Sequence, residues 1–279
     1  MTFQRTEPVA VGHLTFDVRT LGPEDGEPVV LLHGFPETSQ SWDAVAPAFA
    51  DAGLRVVAPD QRGYSPGARP KDVADYTTDH LAADVVGLAE ALGLGRFHLV
   101  GHDWGAAVAW VVAAHHGDRL HTLTAVSVPH LAAYNAALRK DRDQQERAAY
   151  IQLLRIEGKA EDVLLDDGDR RLRAMYQGKV PDEHVDVYAE TFRDRDTLTG
   201  ALNWYRAMTA DLGNLPPVSV PTTFVWSDED LAVGRSPAED CAQHVTGPYD
   251  FVELNGVSHW IPEEAPDALA AAILRRVRD

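Results

Sequence analysis

Cysteine is nearly missing from this chain. Its single thiol, Cys241 among 279 residues, excludes an intrachain disulfide and any multi-cysteine metal site, and fits a reducing compartment. Positive charge is also scarce: 25 Lys and Arg stand against 43 Asp and Glu, for a formal net charge of −18. Nucleic acid and anionic membrane surfaces both demand basic patches, so neither is expected as a partner. No stretch approaches the roughly 18 uninterrupted apolar residues of a membrane span. The opening Met1-Thr2-Phe3-Gln4-Arg5-Thr6-Glu7-Pro8 lacks the basic region and apolar run of a secretory leader. The expectation is a cytoplasmic protein. Internal repeats and low-complexity tracts are missing too. The hydrophobic share of 45% is ordinary for a globular fold, and the length suits one large domain or a domain with an insertion.

Through residue 129 the chain alternates strand-like and helix-like segments, the pattern of an α/β fold on a mostly parallel sheet. Leu14 to Leu21 alternates as an exposed strand does, and Pro28-Val29-Val30-Leu31-Leu32 reads as a buried one. A helix is expected at Ser41 to Ala52, a strand at Leu54 to Ala58, and a helix at Thr78 to Leu92. Further strands follow at Phe97 to Val100 and Leu120 to Val128, with a helix between them. From Pro129 the pattern turns helical, and charged stretches such as Asp141-Arg142-Asp143-Gln144-Gln145-Glu146-Arg147 read as solvated helix faces. Strand patterns return at Thr222 to Trp226 and Tyr249 to Leu254. The expected organisation is a core over 1–129 and 214–279 interrupted by a helical lid over 130–213.

The sharpest local signal is Gly101-His102-Asp103-Trp104-Gly105, set between a short apolar strand and a helix. Glycines two residues to either side of Asp103 fit a turn too tight for a β-carbon there. An Asp before a helix is commonly an N-cap. In this turn it reads instead as an exposed carboxylate nucleophile, backed by the unpaired amides of a helix N-terminus. The turn resembles the nucleophile elbow of α/β hydrolases, with a carboxylate where acyl-transfer enzymes carry Ser or Cys.

An ester formed on Asp103 needs a base to activate water. Of the 12 histidines, His259 lies in Asn255-Gly256-Val257-Ser258-His259-Trp260, directly after the last strand, where α/β hydrolases place their histidine. A carboxylate must orient it. Leu123 to His130 offers no Asp or Glu, which leaves Ser227-Asp228-Glu229-Asp230-Leu231. Asp230 is the choice and Asp228 the reserve. After the first buried strand, His33-Gly34-Phe35-Pro36-Glu37 turns the backbone so that the Phe35 and Trp104 amides form an oxyanion hole. His33 reads as a hydrogen-bonder that holds this loop.

Together these motifs resemble the α/β-hydrolase epoxide hydrolases over essentially the full chain. The resemblance implies two lid tyrosines that protonate the epoxide oxygen. Tyr205 matches within Asn203-Trp204-Tyr205-Arg206, and Tyr150 precedes Glu157-Gly158 at a similar distance. Tyr134, Tyr176 and Tyr188 read as lid packing. An alkoxide is a far more basic leaving group than a halide, so a phenol that stays protonated until transfer suits the reaction. One departure is the loop Arg62-Gly63-Tyr64-Ser65-Pro66-Gly67, where the family often has Arg-Gly-Tyr-Gly-x-Ser.

The expected function is epoxide hydrolysis to a vicinal diol, with an apolar epoxide and water as reactants and no cofactor or metal. A homodimer is compatible with this reading. Phe35, Trp104, Trp204 and Trp260 are expected to line the substrate site. A haloalkane or haloacid dehalogenase is the nearest rival. Haloalkane dehalogenases resemble His-Gly-Asn-Pro at the first loop, where Phe35 has no side-chain donor, and fluoroacetate dehalogenases resemble Asp-Arg where this chain has Asp103-Trp104. A non-catalytic hydrolase-fold binder would tolerate loss of triad members, and none is lost.

Overall fold

Short runs of β-branched and aliphatic residues bounded by turn residues pack into a sheet covered on both faces. The computed structural model describes Phe3 and residues 5–278; Met1, Thr2 and Gln4, in the segment read for a leader, lie outside the described residues, as does Asp279. The chain runs β1 (Arg5–Val11), β2 (Leu14–Leu21), β3 (Pro28–Leu32), α1 (Ala46–Asp51), β4 (Arg55–Pro59), α2 (Thr78–Ala91), β5 (Phe97–His102), α3 (Trp104–His115) and β6 (Leu120–Val126). A helical excursion follows: α4 (Leu131–Lys140), α5 (Arg142–Arg147), α6 (Ile151–Leu154), α7 (Lys159–Ala174), α8 (Asp182–Arg193) and α9 (Arg195–Arg206). The chain then returns through β7 (Thr222–Ser227), α10 (Arg235–Asp240), β8 (Tyr249–Leu254), α11 (Ile261–Glu264) and α12 (Pro266–Arg278).

The strands form one sheet in the order β1-β2-β4-β3-β5-β6-β7-β8. Only the β1–β2 and β2–β4 pairings are antiparallel; from β4 to β8 every pairing is parallel. Central β5 is buried at every residue. Phe97 and Leu99 enter one hydrophobic core and Val100 the other, as the two-residue period of a strand requires. Helix α3 is buried from Trp104 through Ala113, and its alanines allow close approach to the sheet.

Four local features depart from the sequence pattern. The helix expected over Ser41 to Ala52 shrinks to a 3-10 turn at Ser39–Trp42 and the short α1, because Pro47 starts a new helix at its first turn. The strand expected to reach Val128 ends at Val126, where Ser127 takes a left-handed φ of 66°. Strand β1 carries no clean alternation to predict it; it forms because all seven of its residues pair with β2. Strand β2, read as exposed, alternates in burial yet pairs on both sides.

The β5–α3 turn sits at the centre of this sheet, and its glycines are sterically obligatory. A β-carbon on Gly101 would lie 2.2 Å from the Gly105 carbonyl oxygen, and one on Gly105 would lie 2.2 Å from that of Leu32. Both obstacles are backbone atoms. Gly105→Ala is expected to cost at least about 1–3 kcal/mol, the range for overpacking a dense core. Urea denaturation measures this, and an unchanged midpoint would mean that the turn yields freely.

Candidate active site

Asp103 stands between β5 and α3 at φ 51° and ψ −118°, a conformation that costs a residue with a β-carbon about 1–3 kcal/mol. The turn is held by the Asp103 N–H donating to the Val126 carbonyl at 3.2 Å, and by the Ala106 and Ala107 amides donating to the Asp103 carbonyl. The loop after β3 presses on the same side chain. A β-carbon on Gly34 would lie 2.4 Å from that of Asp103, so only glycine lets the loop pass this close.

That proximity fixes the carboxylate. Its Oδ1 accepts a hydrogen bond of 2.9 Å from the Phe35 N–H, and its Oδ2 lies 3.4 Å from His259 Nε2. The other ring nitrogen of His259 lies 3.0 and 2.9 Å from the two oxygens of Asp230. Asp230 is fully buried, and its Oδ1 also accepts from the Ala232 and Val233 amides at 2.8 and 3.0 Å. Asp228 instead accepts from the Gly256 amide at the surface. Loop geometry therefore brings Asp230, and not the reserve Asp228, to His259.

Burial alone would push Asp103 up and His259 down. Opposite charge reverses both. The His259 hydrogen bond and charge, then His102 and the Phe35 amide, hold the Asp103 carboxyl below its usual range. Asp230 and Asp103 raise His259 well above the usual imidazole range. Each group is therefore charged because of the other.

Two further residues hold the frame, and sequence reasoning quoted both without assigning them a role. His102 points Nε2 at the His259 carbonyl at 2.9 Å and Nδ1 at Glu37 at 2.9 Å. Glu37 also accepts from the Gly34 N–H. Their only sequence signal was adjacency to Asp103 and to the His-Gly-Phe-Pro loop. His33 uses both ring nitrogens locally, on the Gly34 carbonyl and the Gln61 amide, as a loop-holder would.

Asp103 borders two spaces, whose walls also share Tyr150, Tyr205 and Ala232. A cavity of about 670 Å³ is bordered by Phe35, Asp103, Tyr150, Tyr205, His259 and Trp260. A smaller pocket of about 50 Å³ is bordered by Asp103, Trp104, Tyr134, Tyr150 and Tyr205, among others. Tyr205 is buried, edge-on to Trp104 and Phe35 at ring separations of 5.1 and 5.6 Å, with Tyr150 at 6.5 Å. Tyr150, on the cavity wall, keeps 37% of its surface accessible. Low-polarity surroundings raise both phenols well above the usual range, joined by Tyr134 and the Asp103 charge at Tyr150 and by Tyr150 and the Asp103 charge at Tyr205. They hold their protons at neutral pH.

Trp204 corrects an expectation. It borders neither space at Asp103; it is 2% exposed and its indole N–H donates to the Arg62 carbonyl at 2.9 Å. Helical periodicity turns residue 204 away from the face that carries residue 205. Tyr134, read as packing, does reach the smaller pocket. Tyr176 and Tyr188 are buried elsewhere, donating to the Pro36 carbonyl and to Glu263.

The loop that departs from the family pattern proves to be the seat of α9. Gly63 and Gly200 are so close that a β-carbon on either would fall within 2.7 Å of the other's backbone. Arg62 is clamped by two 2.6 Å bonds to Asp84, and the buried Arg206–Glu161 pair ties α9 to α7. These contacts set the height of Tyr205 above Asp103.

A family model for the alpha/beta hydrolase fold matches residues 27–266. Epoxide hydrolase A of Mycobacterium tuberculosis is 34% identical, over 90% of each chain. An AB hydrolase superfamily protein of Bacillus subtilis is 32% identical, over 95% of each. A solved structure described as one of "novel epoxide hydrolases" from metagenomes of hot environments superposes with a TM-score of 0.87 at 32% identity, covering 99% of both chains.

The mutual charging of Asp103 and His259 makes a direct prediction. Asp103→Asn removes one of the two carboxylates that raise His259, so its imidazole should titrate at lower pH than in the parent. NMR titration of the ring protons reads this, and an unmoved midpoint would show that Asp230 acts alone.

Proposed function

This chain belongs to the alpha/beta hydrolase fold family, on its epoxide hydrolase branch, and from that premise we propose that it hydrolyses an apolar epoxide to a vicinal diol through an ester on Asp103. The observation that carries this reading is the shared cavity wall. Tyr150 and Tyr205 border the same space as a carboxylate whose Oδ1 is tied to the Phe35 amide while Oδ2 points toward His259. The core, 1–129 and 214–279, supplies nucleophile, base and acid. The segment 130–213 is the cap and supplies the phenols.

Oδ2 attacks an oxirane carbon, the C–O bond breaks, and a phenol bonded to the oxygen gives it a proton. General acid assistance of this kind is worth on the order of 10²–10⁴ in rate. Oδ1 becomes the ester carbonyl oxygen, already in contact with the Phe35 N–H. Trp104 opens α3, so its amide has no partner within the helix and adds the second donor. Esterification also cancels the Asp103 charge. His259 then loses one cause of its raised pKa, sheds its proton, and takes one from water as that water attacks the Asp103 carbonyl carbon. Asp230 stabilises the imidazolium that forms. Collapse passes the water's remaining proton to the departing diol oxygen and restores the Asp103 carboxylate; His259 keeps the proton it gained and is again an imidazolium, and the proton it shed earlier replaces, by way of solvent, the one lost by the phenol. The scheme consumes only epoxide and water.

A single turnover in ¹⁸O-water is expected to place the label in the Asp103 carboxylate and leave the first diol unlabelled; label in the diol with unlabelled enzyme would exclude the ester. Tyr205→Phe should lower the rate of epoxide opening on the order of 10²-fold or more, read as pre-steady-state ester formation. Unimpaired opening, with halide release from haloalkanes, would favour a dehalogenase instead. His259→Gln should accumulate the ester, visible as added mass on the intact chain.

A further inference from the structure

Behind the nucleophile lies a pair of carboxyl groups that the reaction does not use. Glu37 is fully buried, and its Oε2 is engaged by His102 and the Gly34 amide. Glu263, at the third residue of α11, accepts the Tyr188 hydroxyl on Oε1 at 2.9 Å. The remaining oxygens, Glu37 Oε1 and Glu263 Oε2, are both sealed from solvent and meet no N–H or O–H donor. Yet the two carboxyl groups are hydrogen-bond neighbours of each other. Two neighbouring carboxylates would repel, and each bare buried oxygen would carry the full cost of desolvation. One proton between them removes both penalties.

We propose that Glu263 is a protonated positioning residue whose carboxyl O–H donates to Glu37, riveting the His259 loop and α8 to the loop and turn that carry Phe35 and Asp103. The chain of contacts runs Tyr188, Glu263, Glu37, His102 and the His259 carbonyl, so it joins helix α8, the segment after β8, the loop after β3 and the β5–α3 turn. Burial and then the charge of Glu37 push the Glu263 carboxyl well above the usual range. Burial opposes the charge on Glu37 as well, but His102 beside it holds that carboxyl below the usual range. The other titratable groups facing the pair are Asp103 and His259 across the turn, Tyr176 from the helical segment, and His33 and Tyr64 from the two loops beside Glu37. The nearby cation Lys179 is engaged by Glu229 and Glu264.

Glu263→Gln tests the proton directly. A neutral amide keeps an N–H for Glu37 and an oxygen for Tyr188, but it cannot ionise. The parent has a folded-state pKa above its unfolded value, so it loses stability as pH rises from the ordinary glutamate range toward the folded pKa. E263Q lacks that loss. Its stability relative to the parent should therefore climb with pH, by up to about tenfold in folding constant per pH unit. The parent-minus-E263Q infrared spectrum near neutral pH should also contain the carbonyl band of a protonated carboxylic acid. E263Q should keep kcat near the parent's at neutral pH, whereas Glu263→Leu, without donor or acceptor, should lower kcat with little change in KM. A relative stability that is flat or falls with pH, or a difference spectrum with only carboxylate bands, would overturn the proposal. The stability and infrared measurements need no epoxide, so they stand apart from the fate of the proposed reaction.

Discussion

The close approach of the loop after β3 to the turn between β5 and α3 is the constraint on which the rest of this structure depends. Gly34, Gly101 and Gly105 each sit where a β-carbon would fall within 2.4 Å of a neighbouring atom. The contact delivers the Phe35 amide to one oxygen of Asp103 and leaves the other facing His259. It also holds Asp103 at a positive φ. Strain of that kind persists only where the surroundings over-determine it. Here the surroundings are the centre of the sheet, where β5 is buried on both faces and α3 packs along nearly its whole length.

A buried site with this many ionisable groups is stable because its charges come in satisfied pairs. Unpaired, either Asp103 or His259 would be driven neutral by burial; together with Asp230 they hold a carboxylate–imidazolium–carboxylate row. Backbone amides take up the remaining acceptor capacity of Asp230 and one oxygen of Asp103. The same arithmetic governs the layer behind, where Glu263, Glu37 and His102 form a second row. The two rows meet at His259, whose ring belongs to the first and whose carbonyl closes the second. Ring and backbone of one residue are thus held by separate networks, which restricts the imidazole to one orientation.

The helical segment contributes placement by a different kind of contact. Helix α9 reaches the core through a glycine-to-glycine crossing, Gly63 against Gly200, backed by the Trp204 hydrogen bond to Arg62 and by the buried Arg206–Glu161 pair. Neighbours of Tyr205 on the helix therefore act as anchors, and Tyr205 alone turns toward Asp103. This explains why an aromatic pair in one tetrapeptide divides its labour. Residue 204 serves the packing and residue 205 the cavity.

Much of this was legible in the chain itself. Alternating strand and helix patterns with short apolar runs required a parallel sheet, because such runs hide their backbone and side chains only when covered on both faces. The spacing of Gly101, Asp103 and Gly105 required a tight strand-to-helix turn, for the steric reason that the backbone distances display. The order Asp103, Asp230, His259 pointed to three groups that the fold sets within reach of one another. Tertiary structure alone decided the rest. It turned Asp230, the carboxylate preferred on sequence, toward His259 and the reserve Asp228 toward the surface, since both lie in one loop and only the fold of that loop sets which carboxylate points inward. It turned Trp204 away, cut the expected helix at Pro47, and recruited β1 through pairing rather than pattern. Above all it brought Glu37, His102 and Glu263 together from three separate segments, a meeting that no local pattern encodes because its cause is shared burial.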